Sequence, residues 1–180
     1  MGHRILVVCT ANVCRSPMVA AMLRERLDPG VHAVESAGVR APQGRAMDPD
    51  SAAQLRARGI TVPDTTARQL TPDLVSGADL VLTATRAHRA DVLDLDPRSL
   101  RRTFTVLEFA ALCREVDGTD LAEIVAAAAA ARARGPREVD LRDPIGRSEE
   151  VHAEVARLAD EATAAIAARL TTKGGSAADR

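Results

Sequence analysis

Ile5-Leu6-Val7-Val8-Cys9-Thr10-Ala11-Asn12-Val13-Cys14-Arg15-Ser16-Pro17 is the stretch on which the reading of this 180-residue chain turns. Four consecutive apolar residues predict a fully buried strand, and Pro17 opens an Ala-, Met- and Leu-rich segment of helical composition. Between them lies a short loop from Cys9 to Ser16. Such a loop can turn its N–H groups inward, and the helix terminus adds unpaired donors and the positive end of a dipole, so Thr10, Ala11, Asn12, Val13, Cys14, Arg15 and Ser16 make a cradle for a phosphate-sized anion. Its side chains go beyond anion binding. Cys9 stands at the first position and Arg15 six residues later, where amides and a guanidinium favour a reactive thiolate over a thiol. Arg15 offers a planar fork that grips two phosphoryl oxygens. Ser16 is placed to hydrogen-bond the departing sulfur.

Phosphoryl transfer to sulfur releases a group that needs a proton, so a general acid is required elsewhere. Asp143, in Arg142-Asp143-Pro144-Ile145-Gly146, is the candidate: the proline restricts the aspartate to extended backbone and Gly146 permits a tight turn. Asp143 would then switch from acid to base as water hydrolyses a cysteinyl-phosphate.

Outward from the loop, apolar runs at 4–9, 31–35, 79–84 and 103–106 predict strands. Helical periodicity falls at about 17–27, 48–58, 86–94, 107–115, 119–134 and 148–169. The alternation predicts an α/β fold with a four-stranded parallel sheet in a three-layer α/β/α arrangement and the anion loop at the carboxyl end of the first strand. Six alanines at 126–131 are strong helix formers, stopped by Gly135-Pro136. One domain over 1–170 and a disordered tail over 171–180 are expected.

Composition narrows the function classes. Net charge is −1, and the 24 basic residues, of which only Lys173 is a lysine, are scattered, so no nucleic-acid footprint is present. The opening apolar run is too short for a signal core or a span, so a cytoplasmic protein with no membrane contact is expected. Cys9, Cys14 and Cys113 cannot pair fully and show no metal-ligand spacing with the four histidines; a reducing compartment, no metal and no cofactor are expected. Phe104 and Phe109 are the only aromatics of the Phe/Trp/Tyr kind and fit core positions. Cys14 shares the loop with Cys9, so it is either a small packing residue or a redox partner that traps the oxidised nucleophile as a reversible disulfide.

These residues resemble the low-molecular-weight protein tyrosine phosphatases, whose signature runs Val-Cys, a short Gly-Asn-containing stretch, then Cys-Arg-Ser-Pro. Ser36-Ala37-Gly38, Ala67-Arg68-Gln69-Leu70, Asp79-Leu80-Val81-Leu82 and Asp143-Pro144 follow in the family's order, over roughly 4–170. The resemblance implies Cys9 as nucleophile, Arg15 as clamp, Asp143 as acid and base, and Asn12, Ser16 and Ser36 as loop supports. Residues 36–49 look like the bacterial branch that acts on autophosphorylated tyrosine kinases, which implies a phosphorylated protein as partner and a monomer or weak dimer. Four departures stand out. Ala11 replaces a usual glycine, where a positive φ would cost about 1 kcal/mol; Ile145 and the stretch 39–47 hold no aromatic wall for a tyrosine ring; and Thr65 stands where a histidine often precedes Ala-Arg-Gln. Protein arginine phosphatases use the same loop but favour threonine where Val13 stands. Arsenate reductases share the loop too, yet need relay cysteines that are missing between Cys14 and Cys113, and a phosphate-binding module without turnover is a third alternative.

Overall fold

The computed structural model describes residues 2–137 and 139–171. Its sheet has four parallel strands, β1 (His3–Cys9), β2 (His32–Gly38), β3 (Leu80–Thr83) and β4 (Thr103–Thr105), in the order β2-β1-β3-β4. Helices α1 (Arg15–Arg26), α2 (Pro49–Ala57), α3 (Pro72–Ser76), α4 (Arg86–Leu95), α5 (Val106–Leu112), α6 (Leu121–Ala131) and α7 (Glu149–Thr171) connect and cover it, with 3₁₀ turns at Pro97–Arg102 and Arg132–Arg134.

Side-chain alternation along β1 explains the three layers. Ile5, Val7 and Cys9 join the larger core cluster with residues of α1, α5, α6 and α7, while Leu6 and Val8 join Val75 of α3 and Val92 of α4 in a smaller cluster. Both faces of a central strand are thereby dry, as the unbroken apolar run required. Phe104 and Phe109 are fully buried with ring centroids 5.0 Å apart, so both are core residues, as their positions predicted.

Several boundaries differ from the sequence reading. β2 extends three residues past 35 because Ser36, Ala37 and Gly38 pair with Val7, Val8 and Cys9; pairing with a neighbour carries a weakly apolar segment into the sheet. Helix α1 begins at Arg15, ahead of Pro17, so the arginine is in the first turn. The short α3 and the turn at 97–102 were invisible to periodicity, and both begin at prolines. The polyalanine helix stops at Ala131 and tightens into a 3₁₀ turn before Gly135. Thr171 is the last residue of α7 and not part of a tail; the remaining tail residues, 172–180, lie outside the described residues. Among the described residues no helix is long and apolar enough to cross a membrane.

Candidate active site

The segment between Cys9 and Arg15 is held from outside by its carbonyls. Those of Cys9 and Thr10 accept from the N–H groups of Val39 and Arg40 (3.0 and 2.8 Å), and that of Val13 accepts from Asp48 N–H (2.7 Å). In a planar trans peptide the N–H points opposite to the C=O, so the N–H groups of Thr10, Ala11 and Cys14 face the other way. Those three residues line a cleft of about 160 Å³ together with Cys9, Val13, Arg15, Arg45, Asp143 and Ile145. Its volume suits a small anion more than a large ligand. Two roomier grooves elsewhere, about 340 and 580 Å³, contain no cysteine.

The loop's turn is made at Asn12, with φ of 55°. Ala11, the residue that the missing glycine put in question, is not in the left-handed region, so its methyl costs nothing there. Asparagine tolerates that region better than most side chains, and this one earns its place twice over. Its Nδ2 donates to Ser16 Oγ and Ser36 Oγ, both at 2.9 Å, and its Oδ1 accepts from Arg68 N–H (3.1 Å). Because Ser16 Oγ already accepts from Asn12, its own proton is free to point at Cys9 Sγ, 3.0 Å away, in preference to Ala37 O at 3.4 Å. Asn12, Ser16 and Ser36 thus form one chain of hydrogen bonds ending on the sulfur.

Arg15 is 5% exposed. Its Nη1 donates to Leu141 O (3.1 Å), its Nη2 meets Asp143 Oδ2 at 2.9 Å, and its buried Nε has no partner within the protein. Leu141 N–H in turn donates to Ala84 O (2.8 Å), fastening the Asp143 loop to the end of β3. Asp143 itself is half-exposed, with Ile145 N–H donating to its Oδ1 (3.3 Å). The structure therefore brings together Cys9, Arg15, Ser16 and Asp143, drawn from positions as far apart as 9 and 143.

Cys14 lines the same cleft as Cys9 and is tied to α2. Its Sγ is hydrogen-bonded to Ser51 Oγ, and burial pushes its thiol up to about 12, with the Ser51 hydrogen bond opposing and Asp48 and Cys9 adding to the rise. Cys9, Cys14 and Cys113 are all free thiols.

Sequence reasoning missed three contributors. His88 is buried, with Nε2 2.8 Å from Thr10 Oγ1 and Nδ1 2.9 Å from Thr85 Oγ1. Burial lowers its basicity, Arg15 lowers it further, and Asp91, Asp143 and Asp140 oppose; a neutral ring between two hydroxyls fits both. The available signal was position, since His88 follows closely on the carboxyl end of β3, where such sheets gather ligand-binding residues. Arg45, from the stretch 39–47 that carries no aromatic, lines the cleft, and Gly38 packs directly on the loop backbone. The lack of metal-ligand spacing along the chain also fails to carry into space: Cys14, Asp48 and His152 each offer a donor atom within 4.8 Å of the others.

A cysteine, an arginine and an aspartate around an anion-sized cleft fit the family whose description is low molecular weight phosphotyrosine protein phosphatase, and its model matches residues 4–122. The chain belongs to this family. The match is narrower than the likeness read over 4–170 and stops short of Asp143. A probable low molecular weight protein-tyrosine-phosphatase EpsP of Ralstonia nicotianae is 40% identical over 108 residues, covering 60% of this chain and 73% of that relative. A protein-arginine-phosphatase of Geobacillus stearothermophilus is 38% identical over 120 residues, covering 67% and 76%. Among solved structures, the YwlE arginine phosphatase from Geobacillus stearothermophilus superposes with a TM-score of 0.75 at 29% identity, covering 94% of each chain. The tyrosine phosphatase Wzb from Escherichia coli K30, in complex with sulphate, does so at 0.74 and 22% identity over 94% of this chain and 99% of that one, a likeness of fold alone.

Proposed function

We propose that this member of the family hydrolyses phosphotyrosine in proteins through a phosphate carried on Cys9. The observation that carries the reading is the convergence of Cys9 Sγ, the Ser16 hydroxyl, the Arg15 guanidinium and the Asp143 carboxyl on one cleft. Phosphoryl oxygens of the bound ester take over the Arg15 fork, including the unpartnered Nε, and release Asp143 from Arg15. Cys9 Sγ attacks phosphorus, the bond from phosphorus to the ester oxygen breaks, and Asp143 gives that oxygen a proton. Asp143 then takes a proton from water as the water oxygen attacks phosphorus; the S–P bond breaks, and Ser16 stabilises the departing sulfur.

Tyrosine is favoured over arginine as the phosphorylated residue by Val13, an apolar wall, with Ile145, 44% exposed, at the rim. An autophosphorylated tyrosine kinase is a substrate of the fitting kind, and the absence of cysteines between Cys14 and Cys113, where arsenate reductases carry their relay, argues against arsenate reduction. Oxidation of Cys9 would place Cys14 as its partner in a reversible disulfide, which recovery of peroxide-treated protein by dithiothreitol, lost in Cys14→Ser, would reveal.

The experiment is turnover of matched phosphotyrosine and phosphoarginine peptides, with mass spectrometry of acid-quenched enzyme. The expected result is faster release from phosphotyrosine and a phosphate adduct on Cys9. Preference for phosphoarginine overturns the substrate, full activity of Cys9→Ser overturns the mechanism, and tight phosphate binding without turnover makes the chain a binding module.

A further inference from the structure

Next to the phosphate loop, the amino terminus of α2 and the long helix α7 meet in a small polar cluster whose side chains take no part in the phosphoryl transfer steps. Asp48 caps α2: its Oδ2 accepts from Ser51 N–H (2.9 Å) and Ser51 Oγ (3.0 Å), and its N–H holds the loop at Val13 O. Cys14, 3% exposed, reaches the same serine. From α7 comes His152, 1% exposed, whose Nδ1 lies 3.9 Å from Asp48 Oδ2 and has no hydrogen-bond partner; its Nε2 lies 3.9 Å from Asp50 Oδ2.

That unpartnered nitrogen is the telling feature. At 3.9 Å no hydrogen bond joins it to the carboxylate, and a buried polar atom left unpaired is costly. A ring nitrogen facing a carboxylate oxygen and a thiol, with none of the three joined to another, is a set of donors that a cation reconciles. We propose that Cys14, Asp48 and His152 bind a thiophilic divalent cation of the zinc type, with a fourth position open to water.

The donor chemistry selects the metal. Sulfur, imidazole nitrogen and a single carboxylate suit zinc, whereas magnesium and calcium need oxygen shells. Donor atoms around tetrahedral zinc stand roughly 3.4–3.7 Å apart, given bonds near 2.0–2.3 Å. The three donors here, all within 4.8 Å of one another, reach that spacing by side-chain movement of about 1 Å. On binding, the Cys14 S–H bond breaks, its proton goes to solvent, an S–metal bond forms, and the ion exchanges three of its waters for protein donors. The occupied site would tie the phosphate loop to α2 and α7 beside the nucleophile. It stands independently of which phosphorylated residue the cleft takes.

The test titrates cobalt into the full chain carrying Cys9→Ser, which removes the catalytic thiol as a competitor. The expected result is a one-to-one thiolate-to-cobalt charge-transfer band with tetrahedral d–d bands, displaced by zinc and absent when Cys14→Ser is added. His152→Gln and Asp48→Asn should each weaken cobalt binding beyond the roughly 10–100-fold that follows loss of a group merely orienting a ligand. Cys113→Ser should leave the bands unchanged. Absence of the bands in the Cys9→Ser protein, their loss in Cys113→Ser, or unchanged affinity in either folded variant of His152 or Asp48 overturns the site; circular dichroism establishes folding, and Asp48→Asn decides if His152→Gln does not fold.

Discussion

Replacing Gly38 by alanine adds one methyl group at the place where β2 touches the phosphate loop. The new Cβ would lie 2.6 Å from Thr10 O, 2.9 Å from Ala11 C and 2.9 Å from Asn12 N. All three are backbone atoms, so no side chain can swing aside. Gly38 itself cannot retreat easily: it pairs with Cys9 in the sheet, its N–H donates to Arg68 O (3.0 Å), and its O accepts from Leu70 N–H (2.8 Å). Restoring ordinary contact therefore moves the loop by roughly 0.5–1 Å, at a cost of about 1–3 kcal/mol typical of overpacking. For a domain of this size that lowers Tm by roughly 2–12 °C. Activity should fall further than stability, because displacement of reacting groups by about 1 Å costs on the order of a hundredfold. The assay is kcat/KM on p-nitrophenyl phosphate beside a thermal melt, with Gly30→Ala as control, since there the new methyl meets first the Asp28 side chain at 3.2 Å. A Gly38→Ala enzyme within twofold of the parent would refute the claim that loop shape depends on this contact.

Three further outcomes are expected. Asp143→Asn should slow hydrolysis of esters with poor leaving groups by roughly 10²–10⁴-fold while sparing good ones, and equal loss for both, measured across a series of aryl phosphates, would remove the acid role. Asn12→Ala should be less stable than Asn12→Gly by about 1–2 kcal/mol, because both lose the amide but only alanine suffers the left-handed backbone; equal urea midpoints would contradict this. His88 bears a burial-lowered basicity, so below its ordinary value of 6.5 the unfolded chain binds a proton that the folded chain refuses, and stability falls as pH drops through that range. His88→Gln should flatten this acid decline in denaturant titrations at successive pH values, with His32, also lowered mainly by burial, retaining part of it; an unchanged slope would exclude His88 as a source.

What could be read from the chain follows the range of the interactions involved. The β1–loop–α1 unit was legible because its information is local: an apolar run, a cysteine, an arginine and a proline within 13 residues. Asp143 was legible because Asp-Pro and a following glycine constrain their own backbone. By contrast, the last three residues of β2 are strand only because β1 lies beside them, and nothing apolar in Ser36-Ala37-Gly38 announces it. His88 reaches Thr10 across 78 positions, and His152 approaches Asp48 across more than a hundred, so neither contact leaves a periodic trace. The doubt about Ala11 arose from the same limit: which of two adjacent residues turns left-handed is decided by the amide network around Asn12, a matter of three dimensions.

The fastening of Leu141 to Ala84 and to Arg15 has a practical corollary for engineering. Since the Asp143 loop is moored to the sheet two residues before that aspartate, the chain ahead of the mooring need not transmit its own geometry to the cleft. The exposed turn at Pro136-Arg137, beyond the polyalanine helix, is accordingly a natural place to graft a reporter domain or an affinity tag, with catalysis insulated from the graft.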